Sequence, residues 1–197
     1  MSWLLLTAVI TGILSGLVLP QNLTANLDQL TTWAICLLLV GIGIDLGKNK
    51  HTLTKLRTLG WGILGIPLLI ALGSIIGTMV AGLLLGIPIN ESSAIGAGFG
   101  WYSLSGVLLA KIHHAETGAL AFLTNVSREV IALTTIPLIA KKIGYLTSIA
   151  PGGATTMDTT LPLISKSTDT NTTAIAFING LILSALVPLL VPLLIQL

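Results

Sequence analysis

The sequence predicts an all-α integral membrane protein with about five full transmembrane helices and two re-entrant or broken helical segments. Three observations lead there. Of the 197 residues, 53% are hydrophobic and 8% charged, and the mean hydropathy is +0.98. A soluble domain carries roughly 25% charged residues, so this chain lacks the polar surface to cover a water-facing globule. The apolar residues also gather into runs near the ~20-residue length that crosses a bilayer. Finally, Asp45, Arg128, Glu129 and Asp158 lie within or at the ends of such stretches. An ionised side chain at that depth costs a few kcal/mol or more and tends to mark a partner, a proton or a substrate.

The first run covers residues 3–19 and ends at Pro20. With no basic segment before it and no small-residue cleavage site after it, it reads as a retained helix. A polar turn leads to the second run, 30–46, which closes in Gly41-Ile42-Gly43-Ile44-Asp45. Lys48, Lys50, Lys55 and Arg57 make the loop 48–57 the densest basic cluster of the chain. The third run is 59–85, and Pro88, Asn90 and Glu91 read as a turn behind it. Residues 94–110 hold four glycines, two serines, Trp101 and Tyr102, a poor composition for a lipid-facing helix. A clean run, 120–140, follows with Asn125, Ser127, Arg128 and Glu129 in its first half, and Lys141-Lys142 ends it. Residues 149–162 form a second polar segment broken by glycine and proline, and 173–197 is the final run.

The excess of basic residues places loop 48–57 in the cytoplasm, so the third run exits near Glu91. A full crossing by 94–110 would leave Lys141-Lys142 outside, against the same rule. A segment that dips in and returns leaves them in the cytoplasm. Residues 149–162 then enter from the cytoplasmic side and the C-terminus lies outside. The expected organisation is one multi-pass domain in the cell inner membrane over 1–197, with a two-helix entry (1–57) and a core (58–197). Irregular backbone at membrane depth is tolerated only where protein or a water-filled cavity satisfies its polar groups. Two such segments approaching from opposite faces point to a midplane site of the kind secondary transporters use.

Asp158 is flanked by Thr155, Thr156, Thr159 and Thr160 and follows Pro151-Gly152-Gly153. It reads as a carboxylate on a cavity wall, with a helix cap as the plain alternative. Arg128 and Glu129 are helix neighbours and point roughly 100° apart, so one can face a cavity while the other pairs elsewhere. Asn125 lies on the Glu129 face. Asp45 is either a site acid or the acidic end of its helix. Trp101 and Tyr102 are stacking candidates or ordinary packing. His113 and His114 read as solvated loop residues, and Cys36, the sole cysteine, as a small buried apolar residue. The net charge of +2 is scattered or sits at membrane ends, which argues against a nucleic-acid partner. No phosphate-binding loop ending in Gly-Lys-Ser/Thr is present, nor a Ser/His/Asp set or metal motif. The chain therefore reads as no enzyme, with neither cofactor nor metal.

The string Gly98-Phe99-Gly100-Trp101-Tyr102-Ser103-Leu104-Ser105-Gly106 resembles the bacterial lysine exporter family. So do Asn125-Val126-Ser127-Arg128-Glu129, Gly152-Gly153-Ala154-Thr155-Thr156-Met157-Asp158-Thr159-Thr160-Leu161-Pro162 and Gly43-Ile44-Asp45-Leu46. The likeness covers essentially the whole chain and looks like the C-terminal two thirds of a typical member, which carries further helices before it. It implies export of L-lysine and a toxic analogue across the inner membrane, and its two intramembrane transport acids fall by motif on Glu129 and Asp158.

Residues and resemblance together give a lysine/proton antiporter. An acid in a low-dielectric cavity holds either the substrate's ε-ammonium or a proton, and that exclusivity couples the two fluxes. Asp158 and Glu129 take this role, with Thr155 and Thr159 beside Asp158. The glycine-rich segment 98–106, including Gly100, is expected to offer backbone amides to the α-carboxylate, with Trp101, Tyr102 and Ser103 nearby. The partners are lysine or a related cationic amino acid, protons, the lipid bilayer, and either a separately encoded N-terminal-half membrane protein or a second copy. The alternatives are a non-transporting subunit of a split exporter and a sodium-coupled carrier of another small organic solute.

Overall fold

The computed structural model describes residues 61–197, together with isolated helical positions between Thr7 and Ile44. The chain forms two compact units, Met1–Gly47 and Lys48–Leu197. In the first, the Thr11 hydroxyl donates to the Thr7 carbonyl one helical turn back, at 2.7 Å. Cys36 is exposed there rather than buried, as suits an apolar side chain on a lipid-facing helix. Most of runs 3–19 and 30–46, the basic loop 48–57 and Asp45 lie outside the described residues.

The described part of the second unit is built of helices and turns. A 3-10 turn, Trp61–Leu64, precedes α1 (Gly65–Leu85). Then come α2 (Ile89–Gly96), α3 (Tyr102–Ile112) and α4 (Ala115–Lys142). Two further 3-10 turns, Leu146–Ile149 and Gly153–Met157, lead to α5 (Leu161–Ser167) and α6 (Thr170–Ile195). Three helices, Gly62–Leu85, α4 and α6, are long and apolar enough to cross a membrane. At 1.5 Å per residue the 28-residue α4 is about 42 Å long. Buried positions make up 11%, 22% and 44% of their apolar windows in that order, so α6 is the central helix and α1 presents most of its surface outward.

Two broken hairpins sit between the long helices. The first consists of α2 and α3, and both its ends lie at the start of α4. Glu91 Oε2 accepts a hydrogen bond from Thr117 Oγ1 at 2.9 Å, and Glu91 Oε1 lies 3.4 Å from His113 Nε2. The C-terminus of α6 is at this same end, where Asn90 Nδ2 donates to the Ile195 carbonyl at 3.2 Å. The second hairpin, made of the two 3-10 turns and α5, starts and finishes at the opposite end. There Gly144 and Tyr145 share a cavity of ≈ 650 Å³ with Asp169, Asn171 and Thr172. The hairpins thus enter the bundle from opposite ends.

Several boundaries differ from the sequence expectation. Asn90 and Glu91 belong to α2 and not to a turn, and the first hairpin starts at Ile89 rather than at 94. Glu91 is held there by Thr117 and His113, partners distant in sequence. His113 is consequently half-buried rather than solvated, while His114 is exposed. The second broken segment begins at Leu146 and runs on as α5 to Ser167. Helices α4 and α6 start before their apolar runs, because their polar first turns are helical although they add no hydropathy. In α6 the cap is explicit: Asp169 Oδ1 accepts from the Thr172 N–H at 2.6 Å.

Close helix approach relies on glycine where α3 crosses α4. A side chain at Gly118 of α4 would sit 2.6 Å from both the Ala110 nitrogen and the Gly106 carbonyl of α3, the small-residue packing that lets membrane helices touch. At the other end of the bundle Ala132, Ile136, Ile149, Ile164, Ile175 and Ala176 form a buried apolar cluster.

The Asp169 cap has a pH signature. Hydrogen bonding from Thr172 holds this exposed carboxyl below its ordinary value. A depressed folded-state value means the cap contributes fully above the unfolded value of about 4 and fades as pH falls through the lower folded value. Asp169→Ala should therefore lower the thermal midpoint in detergent at pH 7, with the gap to the native chain shrinking below about pH 4. A gap of equal size at both pH values is the contrary result.

Candidate functional site

The first hairpin breaks where Gly98-Phe99-Gly100-Trp101 cannot continue a helix. Phe99 has φ 48° and Gly100 φ 97°, and the left-handed region is uncommon for a residue other than glycine. The Phe99 side chain is fully buried, so packing holds its backbone in that conformation. Asn125 of α4 bridges the break: its Oδ1 accepts from Gly100 N at 2.7 Å, and its Nδ2 donates to Ile95 O at 3.1 Å and Ala121 O at 2.9 Å. The amide of Asn125 is thus committed to the scaffold. The other N–H groups of the break turn inward as well, from Gly98 to Ile95 O, Phe99 to Gly96 O, Trp101 to Gly98 O and Tyr102 to Gly100 O. This corrects the expectation of free amides across 98–106. Those of 98–102 are bonded, and the N–H groups that take no backbone acceptor are Ser103 and Leu104, in the first turn of α3.

The second hairpin meets the first at this point. Ala154 N donates to Phe99 O at 2.8 Å, joining the two tips. Gly153 has φ 58°, and a side chain on it would collide with the Phe99 carbonyl and come 2.9 Å from the Arg128 guanidinium. The contact between the tips therefore needs glycine. Arg128, near the middle of α4, holds the second hairpin from the side. Its Nε donates to Pro151 O at 3.0 Å and its Nη2 to Ala150 O at 3.2 Å. Its Nη1 donates to Ser74 Oγ of α1 at 2.7 Å, and Ser74 Oγ donates in turn to Gly96 O at 2.9 Å. The planar fork of arginine suits such a multi-point clamp. Arg128 thus donates to carbonyls and a hydroxyl, not to an acid of the site.

Glu129, one step round the helix, faces α3. The Tyr102 phenol lies in the electrostatic field of both Glu129 and Asp158. The Tyr102 ring packs edge-on against Phe122, with centroids 5.4 Å apart and planes at 83°. Asp158 follows the 3-10 turn Gly153–Met157, and its carboxylate accepts from the N–H of Thr159. Asp158, Thr159 and Ser103 are exposed, whereas Glu129, Trp101 and Tyr102 are half-buried. Thr155 is buried: its hydroxyl donates to Gly152 O at 2.8 Å and lies 3.3 Å from Thr160 Oγ1.

Tyr102 thus lies within electrostatic reach of both Glu129 and Asp158. Asn125, Arg128, Gly100 and Thr155 lie in the framework that holds the tips. Two framework residues escaped the sequence reading. Ser74 sits in an apolar run and carries no signal of its own. Asn179 donates through Nδ2 to Gly153 O and Thr156 Oγ1, both at 3.0 Å. It is the one amide of α6 beyond the first turn, and such a residue within an apolar span is a legible cue.

Removing the Arg128 clamp leaves the Ala150 and Pro151 carbonyls unpaired inside the bundle. Hydrogen bonds to a charged group contribute about 1.5–3 kcal/mol each, so Arg128→Ala should lose about 3 kcal/mol or more of stability. Arg128→Lys, which keeps the charge but not the fork, should fall between the two. Thermal unfolding of the purified proteins in detergent measures this, and an alanine variant as stable as the native chain contradicts the clamp.

The family described as lysine exporter LysO matches this chain over residues 6–195. A protein of Escherichia coli (strain K12) named "Lysine exporter LysO" is 35% identical over 178 residues, which cover 90% of this chain and 58% of that protein. A Haemophilus influenzae (strain Rd) protein named "Putative lysine exporter" is 36% identical over 190 residues, 94% of each chain. The chain thus spans just under three fifths of the first relative and nearly all of the second. No solved structure matches it. With the family match running almost end to end, the chain belongs to the lysine exporter LysO family.

Proposed function

We propose that this chain is the multi-pass transport core of an inner-membrane secondary exporter, one that moves L-lysine out of the cell in exchange for protons. Family membership supports the substrate. The observation that supports the mechanism is that Tyr102, just past the break of the first hairpin, feels the charge of both Glu129 and Asp158 where the two hairpin tips meet.

Lysine brings two ammonium groups and one carboxylate at neutral pH. Glu129 and Asp158 are the counter-ions for its ammonium, and the Ser103 and Leu104 N–H groups at the positive end of α3 suit its carboxylate. The same acids take up protons once the substrate has left, and occupancy by one cation excludes the other. Exporting a monovalent cation against an inside-negative potential costs about 2.3 kcal/mol per 100 mV, and one proton moving inward returns that amount. One-for-one exchange is therefore electroneutral, and the proton gradient drives it. In this reading the second hairpin opens toward the cytoplasm, where Lys141 and Lys142 end α4.

A second reading is favoured by the coverage of the Escherichia coli relative: the chain is a core that needs further helices, supplied by another membrane protein or a second copy. It differs from the first in predicting no flux from the purified chain alone.

Efflux of labelled lysine from proteoliposomes tests the proposal. Asp158→Asn and Glu129→Gln each leave the substrate ammonium without a counter-ion at membrane depth, a loss of about 3 kcal/mol. Transport should fall by more than about a hundredfold, and proton movement should fall with it. Full rate and full proton coupling in both variants would rule the mechanism out. Replacing Na⁺ by K⁺ at fixed pH should leave the rate unchanged.

A further inference from the structure

The two hairpins are built as a related pair. Each is followed by a long helix, α4 or α6, and each of those helices sends a buried asparagine back into the preceding tip. Asn125 does so for the first hairpin and Asn179 for the second. The pairing is not symmetric in its bonds. Asn125 uses both ends of its amide. Asn179 is fully buried and spends its Nδ2 on Gly153 O and Thr156 Oγ1, while its Oδ1 meets no donor from the described residues. Asn179 thus grips the second tip by donation alone.

That grip bears on a particular segment. Gly153 is the residue whose backbone packs against Phe99 and Arg128, and Thr156 lies two positions before Asp158. The Thr156 hydroxyl also donates to Gly153 O at 2.8 Å, so one carbonyl, one hydroxyl and one amide form a closed knot beneath the turn that ends at Asp158. The neighbouring Gly180 tightens it. A side chain there would lie 2.7 Å from Met157 Cβ and 2.8 Å from Ala154 O, so α6 presses its bare backbone on the 3-10 turn.

We infer that Asn179 is a positioning residue for transport, which sets the place of Asp158 by donating to Gly153 and Thr156 while Gly180 lets α6 approach. Its functional consequence rests on the exporter reading, but its geometric content does not. A carboxyl at position 179 tests the donor role directly. Ionised, it has no proton to give and repels the Gly153 carbonyl. Protonated, it regains one donor of the same length.

The position of the tip is read by thiol labelling. Cys36 is the only cysteine of the chain, so Thr159→Cys in a Cys36→Ala background places a single thiol on the exposed residue next to Asp158. Asn179→Leu should change its rate of reaction with a hydrophilic maleimide several-fold in the purified protein, and Gly180→Ala should do the same by pushing on the same turn. Equal labelling of the folded variants and their parent overturns the inference. If the leucine variant does not fold, Gly180→Ala decides.

Lysine efflux supplies the second readout, with the natural residue at position 159. Asn179→Leu should raise the KM for lysine about tenfold or more per folded molecule, at every pH. Asn179→Asp should recover toward the native rate as pH falls, when rates are expressed relative to the native chain at each pH. An aspartate variant that gains nothing on acidification also overturns the donor role. A native chain that moves no lysine refutes the exporter reading alone, because the labelling result still judges Asn179.

Discussion

Backbone amides and carbonyls at bilayer depth have no water to turn to, so every break in a helix must be closed by some other group of the protein. Here two breaks face each other, and much of the bundle is arranged around closing them. Asn125 takes the stray N–H of Gly100. Arg128 takes the carbonyls of Ala150 and Pro151. The tips also satisfy one another directly, through Ala154 and Phe99. The positive φ of Phe99 is the local strain this arrangement sustains, and the full burial of its side chain holds it in place.

The same requirement separates two consecutive charges into different tasks. Arg128 and Glu129 leave α4 about 100° apart. The guanidinium turns toward the second hairpin and α1, and the carboxylate turns toward Tyr102 of α3. A charge that closes the framework thus lies beside a charge turned toward a different helix. Asp158, for its part, follows the hairpin tip that Arg128 and Asn179 bond to.

Glycine allows the contact. Gly100 and Gly153 adopt positive φ, and at Gly153 a side chain would meet Phe99 O and the Arg128 guanidinium. Gly106, Gly118 and Gly180 do the corresponding work between helices, where backbone meets backbone. The bundle is thus tight at its centre, while Asp158, Thr159 and Ser103 stay exposed on its flank.

Hydropathy and the places where it fails made much of this legible beforehand. The long apolar helices, the two interrupted segments and the anomalous acids at 129 and 158 all follow from residue type and spacing, because a bilayer imposes a length and excludes charge. The family motifs pointed to the same stretches. Boundaries were misjudged where polar residues begin a helix, as at Glu91, Glu116 and Asn171, since hydropathy measures the lipid-facing part of a helix and not its full extent.

What only the tertiary structure decided is which polar groups face one another. Residue type marked Arg128, Asn125 and Thr155 as site candidates beside the two acids, Glu129 and Asp158, because all five are polar residues in apolar surroundings. Hydrogen bonds across 22 to 54 positions of sequence commit Arg128 and Asn125 to the framework, and no local pattern encodes partners so far apart. The N–H groups of 98–102 were likewise consumed by a fold that residue type alone does not reveal. Asn179 stands out as an amide in an apolar span, but its role is set where α6 lies against Gly153, by the backbone it touches and not by its neighbours in the chain.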